Sequence, residues 1–437
     1  MKTLHLVSLG CTKNLIDSEV MLGRLKDYTM TDDSTAADLI IVNTCGFIQS
    51  AKEESLNTIF ELDETRKDSS VLVMAGCLSE RYKEDLQDGL KNEVDIFTGV
   101  GDYDIIDQLV EEKRNQFSPK VFLATEKNIR VVTGSTYHAY IKLSEGCNQQ
   151  CSFCAIPSFK GKLNSRTLES IKEEVSSLVS QGFYDFSFVS QDSSSYLRDH
   201  GINDGLEQLI DMVESIDGVK SARILYLYPS TTTLKLIEKI SDSKLFHTYY
   251  DMPLQHITQN ILMIMKRGKG SEKIKELMTH MKEMPNNFVR STFIVGHPGE
   301  TQEDFEELCE YIKEYKFDRV NVFSYSDEDG TKAYDLEDKV PQEIIDQRAK
   351  IVGDIISDIT IQKLEDEVGT TFDIVIDKQS DEHEYLLSAR KLAWAPEVDG
   401  EIYVNDSEIE GKLEFGKIYK ARATDLSGNI LLATVIG

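Results

Sequence analysis

A chain of 437 residues, 40% hydrophobic and 28% charged, has room for two or three domains and the composition of a soluble globular protein. Its 48 basic against 76 acidic residues leave a net charge of −28, which argues against free RNA as a partner and suits a basic protein. Apolar runs are only a few residues long, and His5 and Ser8 interrupt the opening stretch that could pass for a lipoprotein signal, so no membrane span and a cytoplasmic location are expected.

Residues 4–9, 39–42, 71–74 and 94–97 read as strands, with amphipathic helical patterns at 18–26, 50–64 and 79–90 between them. That alternation predicts a parallel sheet with right-handed crossovers. Cys11, Cys45 and Cys77 each fall just past a strand end, beside Gly10, Gly46 and Gly76. In such a sheet the strand C-termini share one edge, so residues far apart in sequence converge there. One cysteine in this position would be read as a small buried apolar residue. Three of them read as ligands of an iron–sulfur cluster with one open iron.

Residues 116–132 are polar and irregular and read as a linker. A strand at 137–143 then runs into Cys147-Asn-Gln-Gln-Cys151-Ser-Phe153-Cys154, a C-x3-C-x2-C spacing. Three thiolates so placed can hold three irons of a 4Fe-4S cube and leave the fourth open to a substrate. Structural zinc usually wants four ligands, often from a second knuckle, and the sequence has none. The spacing, with Phe153 before the last cysteine, resembles the signature of the radical S-adenosylmethionine (SAM) superfamily, in which SAM occupies the open iron.

Further strands are expected at 186–189, 223–228, 248–252, 289–295 and 320–323, with a helix at 168–180 that sets Ile171, Val175, Leu178 and Val179 on one face. About six βα units make a partial barrel, whose site lies at the C-terminal ends of the strands. Gln191 and Asp192, Gln255 and His256, Gly296 to Glu300, and Ser324 with Tyr325 occupy those ends. Their alternative role is in loop turns and helix caps, and Thr301-x-x-Asp304 has the form of a capping box. Of seven cysteines, an odd count that argues against a disulfide framework, Cys309 is left over as a small buried apolar residue of a helix.

Pro341 opens a long helical pattern that Gly369 closes. Five short strands follow, at 372–376, 385–388, 401–404, 417–420 and 431–435, and suggest a small antiparallel barrel of oligonucleotide-binding size. From Val368 onward seven Lys or Arg face thirteen Asp or Glu, so this barrel is expected to dock a basic protein rather than RNA.

Taken together, the chain resembles a radical SAM methylthiotransferase, an α/β multidomain protein. The family pattern divides it into an N-terminal cluster domain with a parallel α/β sheet (1–115), a partial (βα)6 radical SAM barrel (133–362) and a C-terminal β-barrel TRAM domain (365–437). Ser8-Leu-Gly-Cys-Thr-Lys-Asn-Leu-Ile-Asp-Ser-Glu19 is similar to the opening of the RimO branch, which modifies an aspartate of the twelfth protein of the small ribosomal subunit. Tyr250-Asp-Met-Pro-Leu-Gln-His256 also matches that branch, where the tRNA-modifying branch usually has Gln-Ser-Gly. Arg290-Ser-Thr-Phe-Ile-Val-Gly-His-Pro-Gly-Glu-Thr301 and Tyr325-Ser-Asp-Glu-Asp-Gly-Thr331 match as well. Two positions depart. Lys160 stands where the family usually has Arg, losing a planar fork, and His297 stands where Phe is common.

The resemblance implies two 4Fe-4S clusters, one on Cys147, Cys151 and Cys154 and an auxiliary one on Cys11, Cys45 and Cys77. It implies SAM as both radical source and methyl donor, and a methylthio group placed on the aspartate β-carbon. Phe153, Gln191, Asp192, Gln255, Arg290, Glu300 and Tyr325 are then the expected SAM or substrate contacts. A basic ribosomal protein, docked by the acidic C-terminal domain, and a reduced flavodoxin or ferredoxin are the expected partners of a monomeric enzyme. Two rival readings stay open: a tRNA adenosine methylthiotransferase, and a non-catalytic iron–sulfur scaffold or interaction module.

Overall fold

The computed structural model describes residues 2–268 and 270–436. Five parallel strands open the chain: β1 (Lys2–Ser8), β2 (Tyr28–Met30), β3 (Leu39–Thr44), β4 (Val71–Gly76) and β5 (Ile96–Phe97), in the order β2-β1-β3-β4-β5. β3 is buried along its whole length and β4 beyond its first residue, as apolar runs covered on both faces must be. β2 is a three-residue edge strand too short to show a pattern in the sequence. Helix α1 (Thr12–Arg24) starts at Thr12 rather than at residue 18, so Cys11 is its N-cap. Its polar first turn, Thr12, Lys13 and Asn14, hides that start from a search for apolar periodicity. Helix α2 (Gln49–Thr65) matches its pattern. The next pattern breaks at Tyr82, leaving α3 (Cys77–Arg81) and a second short helix, Lys83–Gly89.

The stretch from 113 to 133 is an irregular strap held by charge. Arg130 bridges Glu19 of α1 at 2.7 Å and Glu174 of the next domain at 2.8 Å. Beyond it, β6 (His138–Lys142) leads to β7 (Ser144–Glu145) and β8 (Asn164–Ser165), an antiparallel pair that brackets the C-x3-C-x2-C loop. β9 (Asp185–Val189), β10 (Ser221–Ile224), β11 (Tyr249–Asp251), β12 (Phe288–Val295) and β13 (Arg319–Ser324) continue the domain. They form two parallel three-stranded sheets, β10-β9-β6 and β11-β12-β13, joined through the bridge Ala222–Phe246. Alternate residues of these strands, such as Ile141, Phe188, Ile224 and Phe293, enter one hydrophobic cluster with the helices. The intervening residues, Lys142, Asp185, Arg223 and Arg290 among them, therefore face the barrel interior.

The long helix Gln342–Glu367 leads into β14 (Thr371–Gln379), β15 (Leu387–Lys391), β16 (Ile402–Ser407), β17 (Ile418–Ser427) and β18 (Ile430–Ile436). These close a barrel in the order β14-β15-β16-β18-β17, with β16–β18 parallel among antiparallel neighbours. Its 392–399 segment stoppers the larger barrel at the N-terminal ends of the strands. Asp185 accepts from Arg223 at 2.7 Å and from Arg390 at 2.5 Å, with all three side chains buried. Arg223 also donates to the Leu392 carbonyl, Tyr140 to that of Pro396, and Arg319 to that of Asp399.

The barrel is open between its edge strands β6 and β13, and the N-terminal domain fills that gap. Asp17 of α1 meets Lys142 of β6 at 2.5 Å. Lys52 of α2 and Arg81 of α3 both pair with Glu328, in the loop after β13, at 2.8 and 2.7 Å. Among the described residues no helix is long and apolar enough to cross a membrane.

Candidate functional site

Three strand ends of the first sheet carry cysteines. Cys11 caps α1, Cys45 follows β3, and Cys77 begins α3 after β4. Close backbone approach brings them together. A Cβ on Gly10, whose φ is +84°, would lie 2.7 Å from the Cβ and Sγ of Cys45. A Cβ on Gly46 would lie 2.7 Å from Leu78 Cα and 3.0 Å from the Cys77 carbonyl carbon. Burial pushes the Cys45 thiol up to about 11, with the neighbouring Cys11 adding to the rise. Burial likewise takes Cys77 to about 12, opposed by the Lys160 ammonium and reinforced by Cys11 and Cys45. Cys77 donates to Asn14 Oδ1 at 3.5 Å, and Asn14 in turn donates to the carbonyls of Leu9 and Thr44.

The second trio lies in the loop after β7. The Cys147 amide donates to Gly161 O at 3.1 Å, and the Ser152 amide to Met265 O at 2.9 Å, which fixes the loop's path. Cys147 Sγ accepts from the Gln149 amide at 3.4 Å. Cys151 Sγ accepts from Arg267 Nη1 at 3.4 Å and lies 3.6 Å from the Tyr228 hydroxyl. The Arg267 guanidinium stacks 4.2 Å from the centre of the Tyr228 ring. Burial raises both Cys147 and Cys154 to about 12.

Among the described residues no three His, Cys, Asp or Glu side chains form a site for a single metal ion. A cubane differs from such a site because it spreads its thiolates over separate irons. Each trio offers three free thiols, and Cys151 and Cys147 also receive N–H donors on sulfur. This soft donor set fits an iron–sulfur cluster, and loading would release the thiol protons that burial retains.

Between the trios runs a buried charge network. Lys142 reaches Asp17 at 2.5 Å and Glu145 at 2.8 Å, while Lys160 lies 3.5 and 3.4 Å from the same two carboxylates. Gln191 donates to the other Glu145 oxygen. Burial opposes the Glu145 charge, but Lys142 and Lys160 hold its carboxyl down at about 2. Burial also works against the Lys160 ammonium, yet Glu145 and then Cys77 keep it well above the usual lysine range. Lys13 sits 3.5 Å over the ring of Tyr226. Burial opposes its charge as well, and Tyr226 and Cys11 raise it above the ordinary value.

A cavity of about 120 Å³ is lined from both cysteine loops: by Phe47 and Ile48 after Cys45, and by Phe153 between Cys151 and Cys154. Gln255, Thr292, Ile294, Tyr325 and Glu328 complete much of its wall. A larger cavity, about 460 Å³, lies between α1, the strap, β6 and the C-terminal barrel, and no cysteine lines it. Size alone does not locate the chemistry here.

The candidate contacts divide by position. Phe153, Gln255 and Tyr325 line the smaller cavity, and Gln255 holds a left-handed φ of +73° there. Asp192 accepts from Gln149 of the cysteine loop at 2.8 Å and also caps the turn 193–195. Gln191 joins the charge network, with its Oε1 buried and without a partner. Glu300 lies in the loop after β12, 2.7 Å from Arg348; burial pushes its carboxyl up to about 7 although Arg348 pulls it down. Arg290 is on the stoppered side of the barrel, with Nη1 3.9 Å from Asp251 and Nε 3.8 Å from Asp399, and Nη1 makes no hydrogen bond. His256 is buried beside Glu300 at 3.8 Å, and burial lowers it to about 3. His297 accepts from Ser152 Oγ through Nε2 at 3.2 Å while Nδ1–H donates to Pro298 O. Thr301 and Asp304 make the reciprocal capping box.

Lys13, Asp17, Lys142, Glu145, Tyr226, Tyr228 and Arg267 were not singled out from the sequence. One signal was available. Lys142 is the one lysine of the strand pattern at 137–143, where a buried charge requires a partner.

Comparison with known proteins gives three matching families: the uncharacterized protein family UPF0004 over residues 3–99, the radical SAM superfamily over 141–312 and the TRAM domain over 368–436. The ribosomal protein uS12 methylthiotransferase RimO of Aliarcobacter butzleri is 68% identical over 437 residues, covering 100% of this chain and 98% of its own. The protein of that name from Sulfurovum sp. is 61% identical over 435 residues, with 100% and 98% covered, and that of Campylobacter jejuni strain RM1221 is 52% identical over 436, with 100% and 99% covered. Among solved structures, the radical SAM methyltransferase TsrM from Kitasatospora setae, with tryptophan and a SAM analogue bound, aligns with a TM-score of 0.54 at 14% identity. That alignment covers 74% of this chain and 73% of TsrM, and it shows likeness of fold alone.

Proposed function

This chain belongs to the RimO family of radical SAM methylthiotransferases, and on that premise we propose that it adds a methylthio group to the β-carbon of an aspartate in ribosomal protein uS12. The observation that carries the reading is a cavity walled by both cysteine loops, since sulfur delivery and C–H activation must reach one carbon. Cys147, Cys151 and Cys154 would hold one 4Fe-4S cluster with SAM, and Cys11, Cys45 and Cys77 the second. With reductant from a flavodoxin or ferredoxin, these groups supply the radical and sulfur chemistry that acid–base side chains lack for an unactivated C–H bond.

The chain's own residues perform the remaining tasks. Arg267 gives Cys151 Sγ a charge-assisted hydrogen bond, and the neutral Gln149 backbone amide donates to Cys147 Sγ. Phe47, Ile48, Phe153 and Ile294 keep the chamber apolar, which excludes water from a radical. The Lys142–Asp17 and Lys160–Asp17 pairs hold α1, which Cys11 caps, against the segment that carries the second trio.

The test is anaerobic reconstitution followed by turnover with SAM, reductant and uS12. Iron and acid-labile sulfide should each reach about eight per chain, and mass spectrometry should find one methylthio group on an aspartate of uS12. Methylthio-adenosine in tRNA with unmodified uS12 would overturn the assignment of substrate. Absence of 5'-deoxyadenosine would favour an iron–sulfur scaffold.

A further inference from the structure

Three lysines between the trios are buried: Lys13, Lys142 and Lys160, at 9%, 0% and 3% exposure. Two carboxylates, Asp17 and Glu145, answer Lys142 and Lys160. Among the described residues Lys13 has no carboxylate within 4 Å, and it rests instead on the face of Tyr226. Its charge is answered by the Tyr226 side chain and, at longer range, by Cys11 and Glu145, so it is a buried cation that lacks a carboxylate of its own.

Its placement does not favour a cation. Lys13 lies in the first turn of α1, where the helix end is already positive and no acidic residue is present. A lysine serving only the fold would be better placed at the other end. The ring beneath it is held under strain. Tyr226 has a φ of +63°, its amide donates to Asp251 Oδ2 at 3.1 Å, and its carbonyl accepts from the Ser193 amide at 2.9 Å. A bulky residue fixed in the left-handed region from both sides marks a position where the ring's location matters. Lys13 comes from the domain of the first trio, two residues past Cys11, and Tyr226 from the barrel, two residues past the end of β10. The cation therefore stands where the domains meet, at the end of the barrel that faces the clusters.

We infer that Lys13, held over Tyr226 beside Cys11, receives the side-chain carboxylate of the substrate aspartate. The inference rests on the uS12 reading above, since the substrate of that reading brings the carboxylate that Lys13 lacks. An aspartate presented for attack at its β-carbon keeps its carboxylate, so the same anion is available from binding through product. Lys13 would thereby select an acidic side chain over its amide, which has the same shape and no charge.

The test uses the reconstituted, SAM-bound holoenzyme without reductant, so that no turnover occurs. Affinity is measured for uS12 and for uS12 with the target aspartate replaced by asparagine. Wild type should favour the aspartate form by about tenfold or more, the value of a charge-assisted contact. Lys13→Met should bind both forms equally, at the level of wild type with the asparagine form, and Lys13→Arg should restore part of the preference. Lys13→Gln repeats the comparison should the methionine variant fold poorly. Iron content and the cluster EPR signals should be unchanged in the variants.

A preference that survives in Lys13→Met and Lys13→Gln, or that is missing in wild type, would overturn the role of Lys13 and leave the uS12 reading standing. Altered cluster signals with the preference intact would mean that Lys13 only offsets thiolate charge. Failure of wild type to bind uS12 in either form would overturn the substrate reading, and this inference with it.

Discussion

At the scale of single residues, the trios were legible because each cysteine sits beside a marker, a strand end with glycine or a short fixed spacing. What supports them was not. Arg267 follows Cys151 by 116 positions and reads in sequence as one more basic residue after a short helix, yet it donates to that sulfur. Positive charge and hydrogen bonds on cluster sulfurs raise reduction potential. Arg267→Leu should therefore lower the midpoint potential of the cluster on Cys147, Cys151 and Cys154, by on the order of 50–100 mV for one charge-assisted bond lost. An EPR-monitored redox titration reads this directly, and an unchanged potential would remove Arg267 from that role. Cys309 supplies the control. It is buried within a helix, far from either loop in sequence. Cys309→Ala should keep the full iron content, whereas Cys154→Ala should lose about four irons per chain.

At the scale of elements, the apolar run at 223–228 has the pattern of one strand, but β10 ends at Ile224. Hydrophobic patterning reports burial, and Leu225 and Leu227 are buried; it does not report the reversed φ of Tyr226 that stops the strand. The start of β9 is similarly opaque, because Asp185 answers Arg390 from 205 residues away. Asp185→Asn would leave Arg223 and Arg390 buried without their counter-charge, a loss of about 3–5 kcal/mol. Thermal or denaturant unfolding would measure it. Burial opposes the Asp185 charge, and Arg223 and Arg390 overcome it, holding the carboxyl well below its ordinary value of 3.8. A carboxyl depressed in the folded state stabilises above its unfolded value and loses that contribution as pH falls through the folded value. The gap between wild type and Asp185→Asn should be full above about pH 4 and shrink as the medium becomes more acid.

At the scale of the whole molecule, the three-part plan was legible from changes of period: helix and strand alternating twice, then short strands alone. How the parts dock was not, because the contacts that join them are isolated charges with large sequence separations, such as Asp17 with Lys142 and Lys52 with Glu328. The C-terminal barrel is built into the core. Trp394, Ala395 and Asp399 are buried, and Phe288 of β12 packs on Trp394 with ring centres 6.4 Å apart. Ending the chain after Glu367 should therefore yield a core that unfolds or aggregates instead of a free radical SAM domain. Size-exclusion chromatography and circular dichroism would show this, and a monodisperse, cooperatively melting core would refute it.

With its floor plugged by residues 392–399, the barrel becomes a cul-de-sac. Traffic in both directions must share one doorway, and a spent nucleoside inside blocks the next SAM molecule from taking its place. Turnover should queue behind departure: 5'-deoxyadenosine added at the outset should slow the reaction, and excess SAM should relieve the delay.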